Sequence, residues 1–258
     1  MIKKWLLACF TVVCAGTNLQ AQQEDQTLKL WYDKPATQWV EALPLGNGRI
    51  GTMVFGDPVH EQFQLNEETV WGGSPHNNTN AKDSLPRIRQ LIFEGKNKEA
   101  QELCGPTICS QSANGMPYQT VGSLHLDFDG INEYNDYYRD LDLEKAIATT
   151  RFTANGVTYT REAYTSFPDQ VLVIRLTASQ KKSISFTAKY STPYKSSVIR
   201  CISPRKELQL NGKANDHEGI EGKVEFTALT RIENNGGKLE ILSDSTLQVK
   251  DANSVILY

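Results

Sequence analysis

Alternation of apolar and polar residues with a period of two is the feature that most constrains this chain. Four segments carry the alternation: residues 124–128, 184–190, 239–241 and 247–249. Successive side chains of a strand point to opposite faces of its sheet, so each segment predicts a strand with one buried face and one solvated face. Residues 171–176 are apolar at both parities apart from Arg175, which predicts a strand covered on both sides.

Turn signals separate the apolar stretches. Asn155-Gly156, Asn211-Gly212 and Asn235-Gly236-Gly237 each lie between such stretches, and Asn-Gly supplies the positive φ that tight hairpin turns require. Residues 133–142 are acidic and rich in Tyr, and they predict a loop. Many short strands with frequent turns predict a mainly β fold, a large antiparallel β-sandwich.

One stretch has a helical pattern instead. Ser84 can cap a helix, Pro86 suits its first turn, Gly95 can end it and Asn97 can cap a second short helix. We therefore expect a short helical insertion over about residues 84–104 in an otherwise β domain.

The first 21 residues predict a signal peptide. Lys3-Lys4 precedes an apolar segment at residues 5–15, and Leu19-Gln20-Ala21 ends in a small residue. This pattern is typical of a bacterial secretory signal, here cut after Ala21, so the predicted location is periplasmic or secreted. A lipoprotein signal at Cys9 is the alternative, although the eight residues before it leave almost no apolar region.

The other end of the chain predicts that a domain at residues 22–258 is truncated at its C-terminal end. Residues 253–258 resemble the start of an apolar strand, with no turn or charged tail after it. We therefore expect the chain to be the front of a longer protein, with an unpaired strand edge at this point.

Composition narrows the range of partners. The 258 residues include 27 Lys and Arg against 30 Asp and Glu, a net charge of -3. There is no basic excess to hold a nucleic acid backbone, so no nucleic acid partner is predicted. No apolar run reaches the roughly 18 to 20 residues that span a bilayer, so no membrane insertion is predicted.

Neither a metal nor a cofactor is predicted. Cys104 and Cys109 bracket a Gly-Pro turn and could pair, because export permits disulfides. They lack the nearby His pair that would indicate zinc. Gly46, Gly48 and Gly51 fit G-x-G-x-x-G, but a predicted strand follows the glycines rather than preceding them, which argues against a dinucleotide site.

The densest candidate site lies in residues 65–73 (LNEETVWGG). Indole faces stack on sugar rings, and Asn and Glu hydrogen-bond to hydroxyls, so Asn66, Glu67 and Trp71 are candidates for a substrate rim. A glycosidase needs two carboxylates flanking the scissile bond, whereas the adjacent Glu67 and Glu68 point to opposite faces of a strand. No catalytic residue is therefore assigned. The alternative is a structural turn, with Asn66 capping and Trp71 in the core.

Four ordered blocks resemble glycoside hydrolase family 95, known chiefly as α-L-fucosidases. They are residues 39–56 (WVEALPLGNGRIG, then MVFG), 64–73 (QLNEETVWGG), 118–128 (YQTVGSLHLDF) and 138–143 (YRDLDL), the last continued by 161–164 (REAY) and 166–169 (SFPD). The family more often has Asp where Glu68 stands and Ser where Gly72 stands. The blocks span nearly the whole chain after the signal peptide.

The resemblance implies an N-terminal β-sandwich domain of a larger enzyme. Such enzymes continue through a helical linker into an (α/α)6 catalytic barrel, which is absent from this chain. They hydrolyse terminal α-linked L-fucose, often the 1,2-linkage to galactose, with inversion. Their general acid, a Glu, and their water-activating Asn and Asp residues lie in the barrel. The partners implied are a fucosylated glycan and the missing barrel, and this chain alone is expected to be inactive.

Two alternatives remain open at this point. The chain could be a stand-alone carbohydrate-binding or structural β-sandwich without catalysis. The larger enzyme could also have a sister specificity, such as that of an L-galactosidase, set by a sugar C6 pocket outside this chain.

Overall fold

A computed structural model describes residues 28–75, 81–109 and 115–258, so the predicted signal peptide at 1–21 lies outside the described residues. Within them the chain order is β1 Lys29–Tyr32, a 3-10 helix Trp39–Glu41, β2 Leu43–Gly46, β3 Ile50–Val54, β4 His60–Glu67, α1 Ala81–Phe93, α2 Asn97–Ile108, β5 Gly122–Phe128, β6 Asn135–Asp142, β7 Ile147–Ala154, β8 Val157–Ser166, β9 Val171–Ala178, β10 Ile184–Ser191, β11 Val198–Ile202, β12 Glu207–Lys213, β13 Glu225–Thr230, β14 Ile232–Asn235, β15 Lys238–Ser243, β16 Thr246–Ala252 and β17 Ser254–Leu257.

Two seven-stranded antiparallel sheets form the body of the domain. Sheet I has the order β1-β6-β7-β8-β9-β17-β14, and sheet II has the order β15-β16-β10-β5-β4-β3-β2. Strands β11, β12 and β13 form a third, three-stranded sheet. The predicted antiparallel β-sandwich is confirmed, and the described residues contain no (α/α)6 barrel.

The core lies between the inner faces of the two large sheets. Phe63 and Phe186 from sheet II and Phe152 and Ile174 from sheet I are almost fully buried. In β5 and β10 the buried residues alternate with more exposed ones, as the period-two pattern predicts. The facing apolar sides are buried by mutual packing, which is the main stabilising contribution in a sandwich.

The three turns predicted from Asn-Gly segments have different outcomes in the structure. Asn155 and Gly156 both adopt positive φ in the turn between β7 and β8, so that predicted hairpin is confirmed. The turn predicted at Asn211-Gly212 is wrong, because both residues lie inside β12. A Cβ at Gly212 would lie 2.3 Å from the Phe226 ring, so this glycine makes room for an aromatic side chain on the next strand.

The third signal is a connection between sheets. Gly236 and Gly237 have positive φ, as predicted for the segment Asn235-Gly236-Gly237. They join β14, in sheet I, to β15, in sheet II. The chain therefore changes sheets here, and a hairpin between neighbouring strands is not formed.

The helical insertion is confirmed with wider bounds. Helix α1 begins at Ala81, so Ser84 lies inside it, and Gly95 ends it with a positive φ of 75°. Helix α2 continues to Ile108, past the predicted end. The two helices pack on each other through a small cluster that includes Ile88 and Leu91.

The last strand, β17, pairs with β9 on one side and β14 on the other. Val255 and Leu257 are almost fully buried. The expectation of an unpaired edge at this segment is therefore wrong, because strands β9 and β14 enclose it.

Two further features concern the predicted environment of the chain. Among residues 28–75, 81–109 and 115–258, no helix combines the length and apolar character needed to cross a bilayer. Cys104, Cys109 and Cys201 are thiols in this structure, so the pairing that the sequence allows between Cys104 and Cys109 is not formed.

Candidate functional site

The β2–β3 hairpin begins the candidate site and is shaped by one asparagine. The Asn47 side-chain oxygen accepts hydrogen bonds from the backbone N–H groups of Arg49 and Ile50, at 3.1 and 2.8 Å. Its amide nitrogen donates to the carbonyl oxygen of Ser166 at 2.8 Å. Asn47 thus closes a tight turn, with Gly48 at a φ of 91°, and ties the hairpin to the end of β8 in sheet I.

At two positions of this hairpin, neither the backbone conformation nor the surrounding described atoms require a glycine. Gly46 and Gly51 pair with each other, and Gly51 also pairs with Asn66 on β4. Neither has positive φ, and a Cβ built on either would meet no described atom closer than 3.5 Å. Glycine has no side chain to pack and often marks a close approach by a ligand or another backbone. The pair therefore leaves a bare patch of backbone on the outer face of sheet II.

Glu67 is the anchor of the loop that follows β4. Its carboxylate accepts hydrogen bonds from Arg49 Nε at 3.0 Å and from the backbone N–H and hydroxyl of Thr69 at 2.8 and 2.6 Å. Partial burial opposes ionisation, but the hydrogen bonds from Thr69 and Arg49 outweigh it and hold the pKa of Glu67 below its ordinary value. Glu67 is therefore a poor proton donor, and its role is to order Arg49 and the loop.

Trp71 lies on the surface, not in the core. The residue is 45% exposed, and its indole N–H donates to the Glu68 carbonyl at 2.8 Å. Its ring packs edge-to-face against the Tyr118 ring, with 5.4 Å between the ring centroids. The Tyr118 hydroxyl in turn donates to the Glu67 carbonyl at 3.1 Å. The core position that the alternative gave to Trp71 is therefore wrong, because the residue is 45% exposed, whereas the turn itself is present at Glu68 and Thr69.

A second exposed indole, which the sequence analysis did not select, completes the surface. Trp39 is 55% exposed and donates its indole N–H to the Gln64 side-chain oxygen. Trp39 is therefore hydrogen-bonded to Gln64 of β4, and Trp71 to Glu68, the first residue after β4. Asn66 lies between these two attachment points in the sequence. The corner, as we name it, consists of Gly46, Gly51 and Asn66, flanked by Trp39 and Trp71.

A cleft of about 420 Å³ lies next to the corner. Asn66, Glu67 and Arg49 contribute to its wall, together with residues of β13 and the end of β17, whereas Trp71 does not line it. The structure therefore brings Asn66 and Glu67 together at the cleft and places Trp71 beside them on the outer surface.

The corner is suited to binding, not to bond cleavage. Indole faces can stack on a sugar ring or pack on another domain, and the Asn66 amide can donate and accept hydrogen bonds. Within the part of the chain that the structure describes, no three His, Cys, Asp or Glu side chains are grouped as a metal site requires.

Comparison with known proteins gives a consistent family. The family model described as "Glycosyl hydrolase family 65, N-terminal domain" matches residues 30–258. "Alpha-L-fucosidase 2" of Arabidopsis thaliana is 31% identical over 93% of this chain and 30% of its own length. "Probable alpha-fucosidase A" of Aspergillus niger is 26% identical over 88% of this chain and 29% of its own length.

The chain thus spans about 30% of the length of these curated relatives. A solved human-microbiome structure, provisionally titled a kojibiose phosphorylase, aligns with 89% of this chain and 31% of its own, at 10% identity and a TM-score of 0.43. That likeness is too distant to inform the fold.

Proposed function

Because the chain belongs to the family of glycosyl hydrolase N-terminal domains that matches residues 30–258, we propose that it is the N-terminal domain of an exported α-L-fucosidase. The resemblance to family 95 is confirmed, since the curated relatives that align with 93% and 88% of the chain are α-fucosidases. Those relatives are about three times as long, which supports a role as one domain of a larger enzyme.

In this proposal the chain supports a catalytic barrel and contributes to the rim of its active site. The proposal rests on the corner, where two exposed indoles flank Asn66 and the pair Gly46 and Gly51. Nothing in the described residues requires glycine at these two positions. A bare backbone patch suits a second domain that approaches closely, or a sugar held between the two domains. Arg49 and Glu67 hold the adjoining loop in a fixed conformation.

The reaction of the complete enzyme would be hydrolysis of terminal α-1,2-linked L-fucose with inversion. Inverting hydrolysis uses two carboxyl groups about 6.5 to 9.5 Å apart, with a water between one of them and the sugar. The carboxylate beside the corner, that of Glu67, already accepts hydrogen bonds from Arg49 and Thr69. Both reacting groups are therefore assigned to the barrel, and the chain by itself should not release fucose.

The test is an assay of the polypeptide that contains this domain. The gene is sequenced beyond the codon for Tyr258, and its complete product is incubated with 2′-fucosyllactose. We expect release of L-fucose, with the β-anomer appearing first by proton NMR because inversion of an α-linkage gives β-fucose. The 258-residue chain, assayed in parallel, should release none. No fucose release by the complete product would refute the proposal.

A further inference from the structure

The outer face of sheet I carries a second surface, remote from the corner. Direct pairing places Trp31 of β1 beside Asp140 of β6, and Asp140 beside Thr149 of β7. Thr149 in turn pairs with Glu162 of β8. Directly paired residues lie on the same face of a sheet, so these four side chains form one row across the outer face.

An aromatic platform stands at one end of this row. Trp31 is 58% exposed, and its ring is stacked on that of Tyr138 with a centroid distance of 6.4 Å and an interplanar angle of 17°. Tyr138 lies beside the indole at a near-parallel angle, and more than half of the Trp31 surface remains exposed. A rigid, exposed indole face is suited to the C–H face of a sugar ring.

A cleft of about 380 Å³ adjoins the platform, and Tyr138, Asp140 and Thr149 all line it. Its charged lining residues are three bases and three acids: Lys29, Lys145, Arg151, Asp140, Asp142 and Glu162. Because the two signs balance, the cleft has no net attraction for an anion or a cation, while it offers many hydrogen-bond donors and acceptors.

The carboxylate of Asp140 is unusual for an outer sheet face. Its side chain is only 7% exposed, and Lys29 Nζ lies 3.8 Å away. The Tyr138 hydroxyl donates a hydrogen bond to it at 3.1 Å. The carboxylate is thus fixed and shielded at the foot of the aromatic platform, with its acceptor capacity only partly used by these two contacts.

We propose that this cleft binds a neutral oligosaccharide of the kind that the proposed enzyme acts on. One sugar ring stacks on Trp31, and its hydroxyls donate to Asp140 and accept from Arg151. The choice of sugar rests on the proposed function, whereas the location of the cleft does not. The outer faces of sheets I and II are on opposite sides of the sandwich, so this surface could hold a glycan chain without occupying the corner.

An NMR titration tests the proposal. The ¹⁵N-labelled chain is titrated with 2′-fucosyllactose, and the indole N–H signal of Trp31 is assigned by its loss in Trp31→Ala. We expect that signal to shift and saturate, and Trp31→Ala to weaken binding, measured by calorimetry, about tenfold. Arg151→Ala, an exposed change that preserves the fold, should weaken binding at least about threefold.

The matched control is Phe93→Ala, which removes an exposed aromatic ring on α1 and should leave affinity unchanged. Saturation of the Trp39 or Trp71 signals alone would place the sugar at the corner and overturn the proposal. Absence of saturable shifts in any indole signal would overturn it as well. Because the titration reads binding and not hydrolysis, it can fail while the complete enzyme releases fucose, so the two proposals are refuted separately.

Discussion

Two glutamates of strand β4 each pair with an arginine, and the two pairs differ most in their exposure to water. Glu61 pairs with Arg161 at 3.0 Å, with side chains 0% and 4% exposed. Glu67 pairs with Arg49 at the same 3.0 Å, with side chains 20% and 55% exposed. The first pair joins sheet II to sheet I, and the second holds a surface loop beside the corner.

The buried pair is satisfied entirely from within the domain. Glu61 accepts from the Gly56 N–H at 2.7 Å. Arg161 donates to the carbonyls of Asp57 and Pro58, and its guanidinium lies 3.9 Å from the centre of the Phe128 ring. Identical chemistry therefore has different consequences. A buried pair fixes how the two sheets meet, while an exposed pair shapes a surface at little cost in free energy.

Removal of Arg161 should have the largest effect. Arg161→Ala leaves Glu61 buried without its partner, and a broken buried pair typically costs about 3–5 kcal/mol in the free energy of unfolding. Chemical denaturation measures the loss. The control is Arg175→Ala, which breaks the exposed pair with Glu162 and should cost less than about 1 kcal/mol.

The decrease in the free energy of unfolding caused by Arg161→Ala should also depend on pH. Burial raises the pKa of Glu61, and Arg161 opposes that rise. Without the arginine, the folded-state pKa stands still higher than the unfolded value, so the folded state binds a proton more readily. The penalty in stability is then largest at neutral pH and shrinks as pH falls toward the ordinary glutamate pKa of 4.5. A penalty independent of pH would show that Glu61 is not its source.

The glycines beside each pair sharpen the comparison. Gly56 has a φ of 76°, and a Cβ there would lie 2.8 Å from the Tyr137 hydroxyl and 2.9 Å from Arg139 Cδ. Gly56→Ala should therefore cost about 1–3 kcal/mol in thermal or chemical unfolding. Gly46→Ala should leave stability within about 0.5 kcal/mol, yet lower the activity of the complete enzyme. Equal effects of the two changes on stability would contradict this distinction.

The sequence identifies some strands of the sandwich correctly and misses others. Strands β5, β10 and β16 are evident because one face is apolar and the other polar. The loop predicted for residues 133–142 is wrong, because Asn135–Asp142 forms β6 and pairs with β1 and β7. The buried Arg139 takes a place on the inner face where the pattern would require an apolar residue. The Arg139 guanidinium is satisfied by the carbonyls of Lys34 and Glu41, and such distant backbone partners leave no periodic signal.

The corner was also only partly predictable. Asn66 and Trp71 of the corner and the adjoining Glu67 lie within six residues, so residue type and proximity suffice to select them. Trp39 joins them only through its hydrogen bond to Gln64, 25 residues away. The pairing of β4 with its neighbours, which brings such residues together, is a property of the whole sheet.

Loss of an indole at the corner should affect activity more than stability. In the complete enzyme, Trp71→Ala or Trp39→Ala should lower kcat/KM for 2′-fucosyllactose up to about tenfold, equivalent to about 1.4 kcal/mol. Phe93→Ala, which removes an exposed aromatic ring on α1, is the control and should leave kcat/KM unchanged. Wild-type kinetics in both tryptophan variants, with intact folding, would exclude the corner from the rim of the active site.

Removal of the Glu67 charge from the exposed pair should have the smallest effect on stability, and that effect should depend on pH. The hydrogen bonds from Thr69 and Arg49 hold the folded-state pKa of Glu67 below its ordinary value of 4.5. The stability that this carboxylate contributes is therefore present above the unfolded pKa and is lost as pH falls through the lower folded value. Glu67→Gln should cost less than about 1 kcal/mol at pH 7, and the difference from wild type should shrink as pH falls below the ordinary pKa of 4.5. A difference that persists undiminished in acid would mean that packing of the side chain, and not its charge, holds the loop.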